Sequence, residues 1–296
     1  NPQPAKPDPL WSRGLGDVYK RQILQWTNCK DGYVIRNGIL FKNSFATSPG
    51  CSPSRAAIAT GMYPHNTGVL GLAHAHFGWS LDKKINHIAK YFSKNGYTSI
   101  LFGLQHVTYH EKTLGFNKIF PERPADEVLR NITKIIDNKI FKKPFYAEVN
   151  FFEPHRPFDY GGVKPDKSKG VYVPKYIPKN IYSRREFAEM QGAIKKMDDT
   201  VFKIINLLKK KNLYENTIIF FFSDHGGPFP RYKRSIYETG LRVPFIAKWI
   251  DNTPTGKNNQ LVSFVDFAPT ILDAANIERE FPFEGTSFNK KDQRKY

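Results

Sequence analysis

Hydrophobic positions along the chain alternate between short continuous runs and helical stripes. Ile39–Ala46 is a short apolar run that predicts a strand. Lys84–Lys94 places Ile85, Ile88, Ala89 and Phe92 on one helical face and ends at Asn95-Gly96, a stop signal. Tyr97–Phe102 reads as a strand, Asp126–Asp137 as a helix carrying Leu129, Ile132, Ile135 and Ile136, and Phe145–Phe152 as another strand. The longest predicted helix opens at Ser183, which has capping-box spacing to Glu186. Its apolar stripe runs from Phe187 to Leu208, and Lys209, Lys210 and Lys211 follow where cations favour the helix dipole. Thr217–Phe222 and Val243–Trp249 are apolar throughout, which predicts strands buried on both faces, and Asp266–Ala275 predicts a closing helix.

Strands alternating with helices, without an internal repeat, predict one α/β domain with a largely parallel sheet. Ligands bind such sheets beyond the carboxyl ends of the strands. Those ends lead into Ser48–Arg55, Gly103-Leu104-Gln105-His106, Glu153-Pro154-His155-Arg156 and Ser223-Asp224-His225-Gly226. One edge thus receives a thiol, three histidines, an aspartate and two arginines. That set reads as an active site.

Composition narrows the setting. Among 296 residues, 40% are hydrophobic and 24% charged, as in globular chains, and no apolar run nears the ~20 residues of a membrane span. Two cysteines, Cys29 and Cys51, exclude a disulfide scaffold. A net charge of +18 favours a polyanion such as nucleic acid, anionic lipid or sulfated glycan. The basic residues are dispersed and form no nucleic-acid module, so nucleic acid is not an expected partner and non-catalytic polyanion binding is the least favoured reading. Residues 1–22 hold four prolines in the first nine positions and no signal-peptide core, so they are expected to be non-native or disordered. Residues 23–288 form the expected domain, and 289–296 a charged tail.

Cys51-Ser52-Pro53-Ser54-Arg55 is the sharpest motif, since C-x-P-S-R arises by chance in roughly one in a thousand chains of this length. A small buried cysteine beside a helix start is the plainer account. Asp224 after an apolar strand is either a turn former or an oxygen donor to a hard cation. His155 lies between Pro154 and Pro157, where an imidazole can serve as a general acid or simply fill structure.

With Thr60-Gly61 following it, the cysteine motif resembles the sulfatase signature of the alkaline-phosphatase-like superfamily. Gly96-Tyr97-Thr98 through His106 resembles the second signature, except that Leu104 stands where most members have lysine, which removes one sulfate-binding cation. Lys233 precedes Tyr237-Glu238-Thr239-Gly240 with the family's spacing. The resemblance covers about Asn28 to Ser287 and, through EPHRPF, SDHGGPFPRYK and GLQH, leans to the heparan N-sulfatase branch.

The resemblance implies an α/β/α sandwich in which a maturation enzyme oxidises Cys51 to formylglycine. The hydrate of that aldehyde attacks sulfur. Arg55, His106, His155 and Lys233 are then catalytic. Asp224, His225 and residue 51 hold calcium, and Arg156 and Lys233 bind a sulfated sugar or glycosaminoglycan. A periplasmic, secreted or lysosomal setting is implied as well. The family's opening strand and its acidic pair have no match before Cys51, and its C-terminal subdomain has none after Ser287. The expectation is therefore a truncated unit with weak calcium binding and poor turnover. Two alternatives keep the fold: an inactive sulfatase fragment, and a phosphoester-cleaving member, against which the cysteine motif argues.

Overall fold

A computed structural model describes residues 38–288 apart from 75, 77, 139–143, 251–254, 279 and 281. The expectations for residues 1–22, 289–296 and the opening strand lie outside the described residues.

β1 (Ile39–Phe45) leads directly into α1 (Cys51–Thr60). α1 opens at Gly50 without a side-chain cap, and Pro53 sits in its first turn, where a missing N–H costs nothing. Small residues let this helix pass through the core, and Ala56 and Ala57 are wholly buried. α2 (Pro64–Thr67), α3 (Ile88–Lys94), β2 (Thr98–Gly103) and β3 (Lys118–Phe120) follow. Next come α4 (Ala125–Asp137), β4 (Phe145–Asn150), α5 (Ile181–Lys210) and β5 (Ile219–Phe222). α6 (Glu238–Leu241), β6 (Phe245–Lys248), β7 (Gly256–Ser263) and α7 (Phe267–Ala274) complete the order.

The described strands form two sheets. One has the order β3-β2-β4 and is parallel throughout. The other has the order β5-β6-β1-β7, with β1 parallel to β7 and β6 antiparallel to both of its neighbours. The α/β class holds, while the parallel character is confined to the first sheet and one strand pair of the second. β6 is buried along its length as expected, but β5 is only partly buried.

Helices cover both faces. Ile132, Ile135 and Ile136 of α4 and Ile205 and Leu208 of α5 pack with Ile100 and Phe102 of β2. Ile88 and Phe92 of α3 pack with Ala268 and Leu272 of α7, against Tyr97 and Tyr146. An aromatic layer of Phe41, Phe245, Phe264 and Phe267 fills the second sheet. The helix predicted from Ser183 starts earlier, at Ile181, because Asn180 is the cap: its side chain accepts the Ser183 N–H and the Ser183 hydroxyl accepts the Asn180 N–H.

The predicted helix at Lys84 begins only at Ile88, because His87 caps it. The His87 Nδ1 accepts the Ala89 N–H at 3.2 Å, a bond open only to a ring nitrogen without a proton. Burial lowers the affinity of His87 for a second proton and outweighs the carboxylate of Glu148, 3.6 Å away. Its folded pKa thus lies below the unfolded value near 6.5, and the unfolded chain takes up protons first. This contribution to stability is complete above the unfolded value and is lost as pH falls below it and through the folded pKa. The thermal midpoint should drop between pH 7 and 5, and His87→Asn, a cap that does not titrate, should flatten the slope. An unchanged slope would remove His87 as its source.

Candidate active site

The N-terminus of α1 delivers Cys51, Ser54 and Arg55 to the carboxyl ends of β2, β4 and β5. At the end of β2, Gly103 adopts φ +85 and lies so close to β4 that a Cβ would come within 1.8 Å of the Asn150 carbonyl oxygen. That approach aligns Asn150 and Leu104 for the Arg55 guanidinium. Its Nη1 donates to the Leu104 carbonyl and to Asn150 Oδ1, both at 3.2 Å, while Nε donates to Asp224 Oδ2 at 2.8 Å. The Ser54 hydroxyl donates to the Asp224 carbonyl oxygen at 2.5 Å. One helical turn thereby gathers three strand ends.

His225 is oriented by its own backbone neighbourhood. Its Nδ1 faces the Gly226 carbonyl at 2.6 Å, so that nitrogen carries the proton, and Nε2 points to Cys51 Sγ at 3.1 Å. Gly226 itself lies where a Cβ would meet the Thr239 carbonyl oxygen at 1.9 Å, so α6 clamps the loop. From the β4 side, the buried Glu153 carboxylate accepts the Ala125 N–H and anchors the His155 loop to the start of α4. His155 Nδ1 donates to the Arg156 carbonyl at 2.6 Å, which leaves Nε2 to accept from Lys233 Nζ at 3.4 Å. The Lys233 segment is tied to the cysteine loop, since the Arg234 N–H donates to the Pro49 carbonyl at 2.8 Å.

Cys51, His106 and His225 are all buried. Burial pushes the Cys51 thiol up, but the imidazoles of His106, His155 and His225 around it outweigh burial and bring the pKa down to about 3. That direction favours the thiolate over the thiol. Burial likewise raises the Asp224 carboxyl, yet His225 and Arg55 hold it well below the usual carboxylate range. His225 is disfavoured as a cation by burial, and Asp224 and Cys51 reverse that and raise its pKa.

The structure therefore brings together Cys51, Arg55, His106, His155, Asp224, His225 and Lys233. Arg156 is placed differently. Its guanidinium pairs with Glu186 at 2.6 Å and lies over the rings of Phe158 and Phe229, so it is engaged in packing the loop. Two residues of the site carried no sequence signal strong enough to single them out. Asn150 is the polar residue that ends β4, and His74 hydrogen-bonds His106 from a loop.

Cys51 Sγ, an Asp224 carboxylate oxygen and a His225 ring nitrogen lie within 4.8 Å of one another, a group that could hold a divalent metal. Calcium asks for six to eight oxygens. Around this group the described residues offer the Asp224 carboxylate, half taken by Arg55, and the Asn150 amide oxygen. Sulfur and imidazole are poor substitutes for the rest, so the described donors do not fit a calcium ion. Titration of this chain with calcium should give a dissociation constant no tighter than about 10⁻⁴ M. Calorimetry showing micromolar binding would reverse that conclusion.

A family model described as Sulfatase matches residues 22–277. An ulvan-active sulfatase of Formosa agariphila is 28% identical over 303 residues, covering 86% of this chain and 49% of the relative. The N-sulphoglucosamine sulphohydrolase of Homo sapiens is 28% identical over 277 residues, covering 82% of this chain and 55% of the relative. The chain spans about half the length of these curated relatives. In fold it is similar to the crystal structure of Ps i-CgsB in complex with k-i-k-neocarrahexaose, with a TM-score of 0.71 and 23% identity over 90% of this chain and 72% of that one.

Proposed function

Because the chain belongs to the sulfatase family, we propose that it hydrolyses sulfate esters or N-sulfates of sugars and amino sugars, through a formylglycine made from Cys51. The observation that carries this reading is the buried residue 51 at a helix N-terminus, its sulfur 3.1 Å from His225 Nε2 and beside the Arg55–Asp224 pair. The names of the two curated relatives, an ulvan-active sulfatase and an N-sulphoglucosamine sulphohydrolase, supply the substrate class.

An aldehyde hydrate at residue 51 supplies an oxygen nucleophile for sulfur and a second hydroxyl for releasing sulfate. The Sγ atom marks where such an oxygen stands. His225, with Nδ1 fixed by Gly226, aims Nε2 at that atom and can hold or take its proton. His106 stands near the same atom, on the loop that follows β2. Lys233 and His155 form a donor pair beside it, suited to protonating the oxygen or nitrogen that leaves. Arg55 spends its donors on Asp224, Asn150 and Leu104, so its part is to hold the charged framework in place. No step is routed through calcium, because the described donors do not complete its sphere.

The test is co-expression with a formylglycine-generating enzyme, followed by mass spectrometry of the peptide containing residue 51. Sulfate release from N-sulfoglucosamine and from an O-sulfated sugar is then measured. Conversion of the thiol to an aldehyde with release from either substrate is the expected result. An intact thiol with no sulfate released, or faster cleavage of an aryl phosphate, overturns the proposal.

A further inference from the structure

His106 is an unusual residue to place against Cys51. It adopts φ +58, in the left-handed region that a side chain with a Cβ seldom occupies. The turn around it is built to hold that conformation. Gln105 Oε1 accepts the Val107 N–H at 2.6 Å, and Gln105 Nε2 donates to the Thr108 carbonyl at 2.7 Å. Those bonds fix the backbone, and neither of them reaches the imidazole. A general base or acid needs its ring nitrogens assigned, and an orienting partner on the far nitrogen is the usual device.

That partner is His74. The His74 Nδ1 and His106 Nε2 are hydrogen-bonded, with ring planes 21° apart and centroids separated by 4.4 Å. The loop that presents His74 is anchored on both sides of the site. The Ala73 N–H donates to the Ser52 hydroxyl at 3.0 Å, which gives this residue of the cysteine motif a definite task. Farther along, the Leu81 N–H donates to the Val107 carbonyl at 2.9 Å, and the Ser80 and Thr108 hydroxyls share a bond at 2.8 Å. His74 itself is exposed, whereas His106 is buried. Two imidazoles thus stand in series from Cys51 to solvent.

We propose that His74 is a positioning residue, which holds the His106 ring against residue 51 and decides which of its nitrogens bears the proton. The inference rests on the sulfatase reading for the chemistry that His106 serves, but the positioning itself can be observed without turnover. Partial desolvation keeps His74 less basic than usual, and neighbouring His106, Lys233 and Arg123 add to this against the pull of Cys51. A neutral His74 ring has one protonated and one bare nitrogen, so its tautomer fixes whether its own Nδ1 or His106 Nε2 bears the shared proton.

Two-bond ¹⁵N–¹H spectra of histidine-labelled chain report ring tautomers directly, with His106 assigned by its loss in His106→Ala. Wild type should show a single His106 tautomer. His74→Ala should turn it into an averaged mixture, and His74→Asn, whose amide reaches the Nδ1 position, should restore it. In the matured enzyme, His74→Ala should lower kcat about tenfold and leave KM within about twofold, with His74→Asn recovering most of the loss. Unchanged His106 resonances in His74→Ala, or an asparagine variant indistinguishable from alanine, overturn the assignment. Absence of sulfate release in wild type would count against the sulfatase reading and leave the spectra to judge His74.

Discussion

Cys51→Ala is expected to abolish sulfate release, a loss of at least about 10⁴-fold, after co-expression with the maturing enzyme. The size follows from the geometry. His225 Nε2 points at this one atom, and His106 and His155 stand near it, so removing it leaves donors and bases with nothing to act on. No other cysteine of the described residues stands in for it. The variant should still fold, because Ala56, Ala57 and the rest of α1 keep their packing. It should also change how stability depends on pH. A thiol whose folded pKa falls from 9.0 to about 3 stabilises the fold fully above the unfolded value and progressively less as pH falls toward the folded one. The alanine chain loses that rise between pH 5 and 8. Denaturant midpoints at the two pH values and a sulfate assay check both statements. Retained turnover would sink the nucleophile assignment.

The second large effect concerns stability. Arg55→Ala is expected to destabilise the chain by about 3 kcal/mol, because it strands the Asp224 carboxylate without its counter-charge. Both side chains are 20% exposed, which places the effect at the lower end of the range for buried pairs. Asn150 Oδ1 and the Leu104 carbonyl lose a donor at the same time. Arg55→Lys restores one charge but cannot address three acceptors in different directions, so it should recover less than half of the loss. Urea unfolding with unchanged slope measures this. A shift below about 1 kcal/mol would place the pair among ordinary surface bridges.

Much of the fold was legible because α4, α5 and β2 have strong apolar periods. β7 escaped for a physical reason: GKNNQLVS is mostly polar and half exposed, and it is recruited by pairing with β1 rather than by its own hydrophobic pattern. The three-residue β3 is too short to show a period. Antiparallel β6 could not be told from a parallel strand, since burial on both faces erases alternation in either case. At the site, the residues following the strands were readable from the topology rule, and Cys51 and Arg55 from their motif. Arg156 is a substrate-ligand candidate in sequence, and its partner Glu186, thirty positions away, is visible beside it only in three dimensions. His74 was hidden for the same reason, in a loop whose link to His106 is spatial.

The depth of Cys51 sets an order of events. The residue is 6% exposed, begins a helix and is enclosed by loops from three strand ends. An enzyme that oxidises this side chain has to reach it, and in the described fold the side chain is enclosed. The oxidation proposed for Cys51 therefore belongs before α1 docks, in competition with folding itself. A chain that folds first keeps its thiol, and the aldehyde content of a preparation becomes a record of which process was faster.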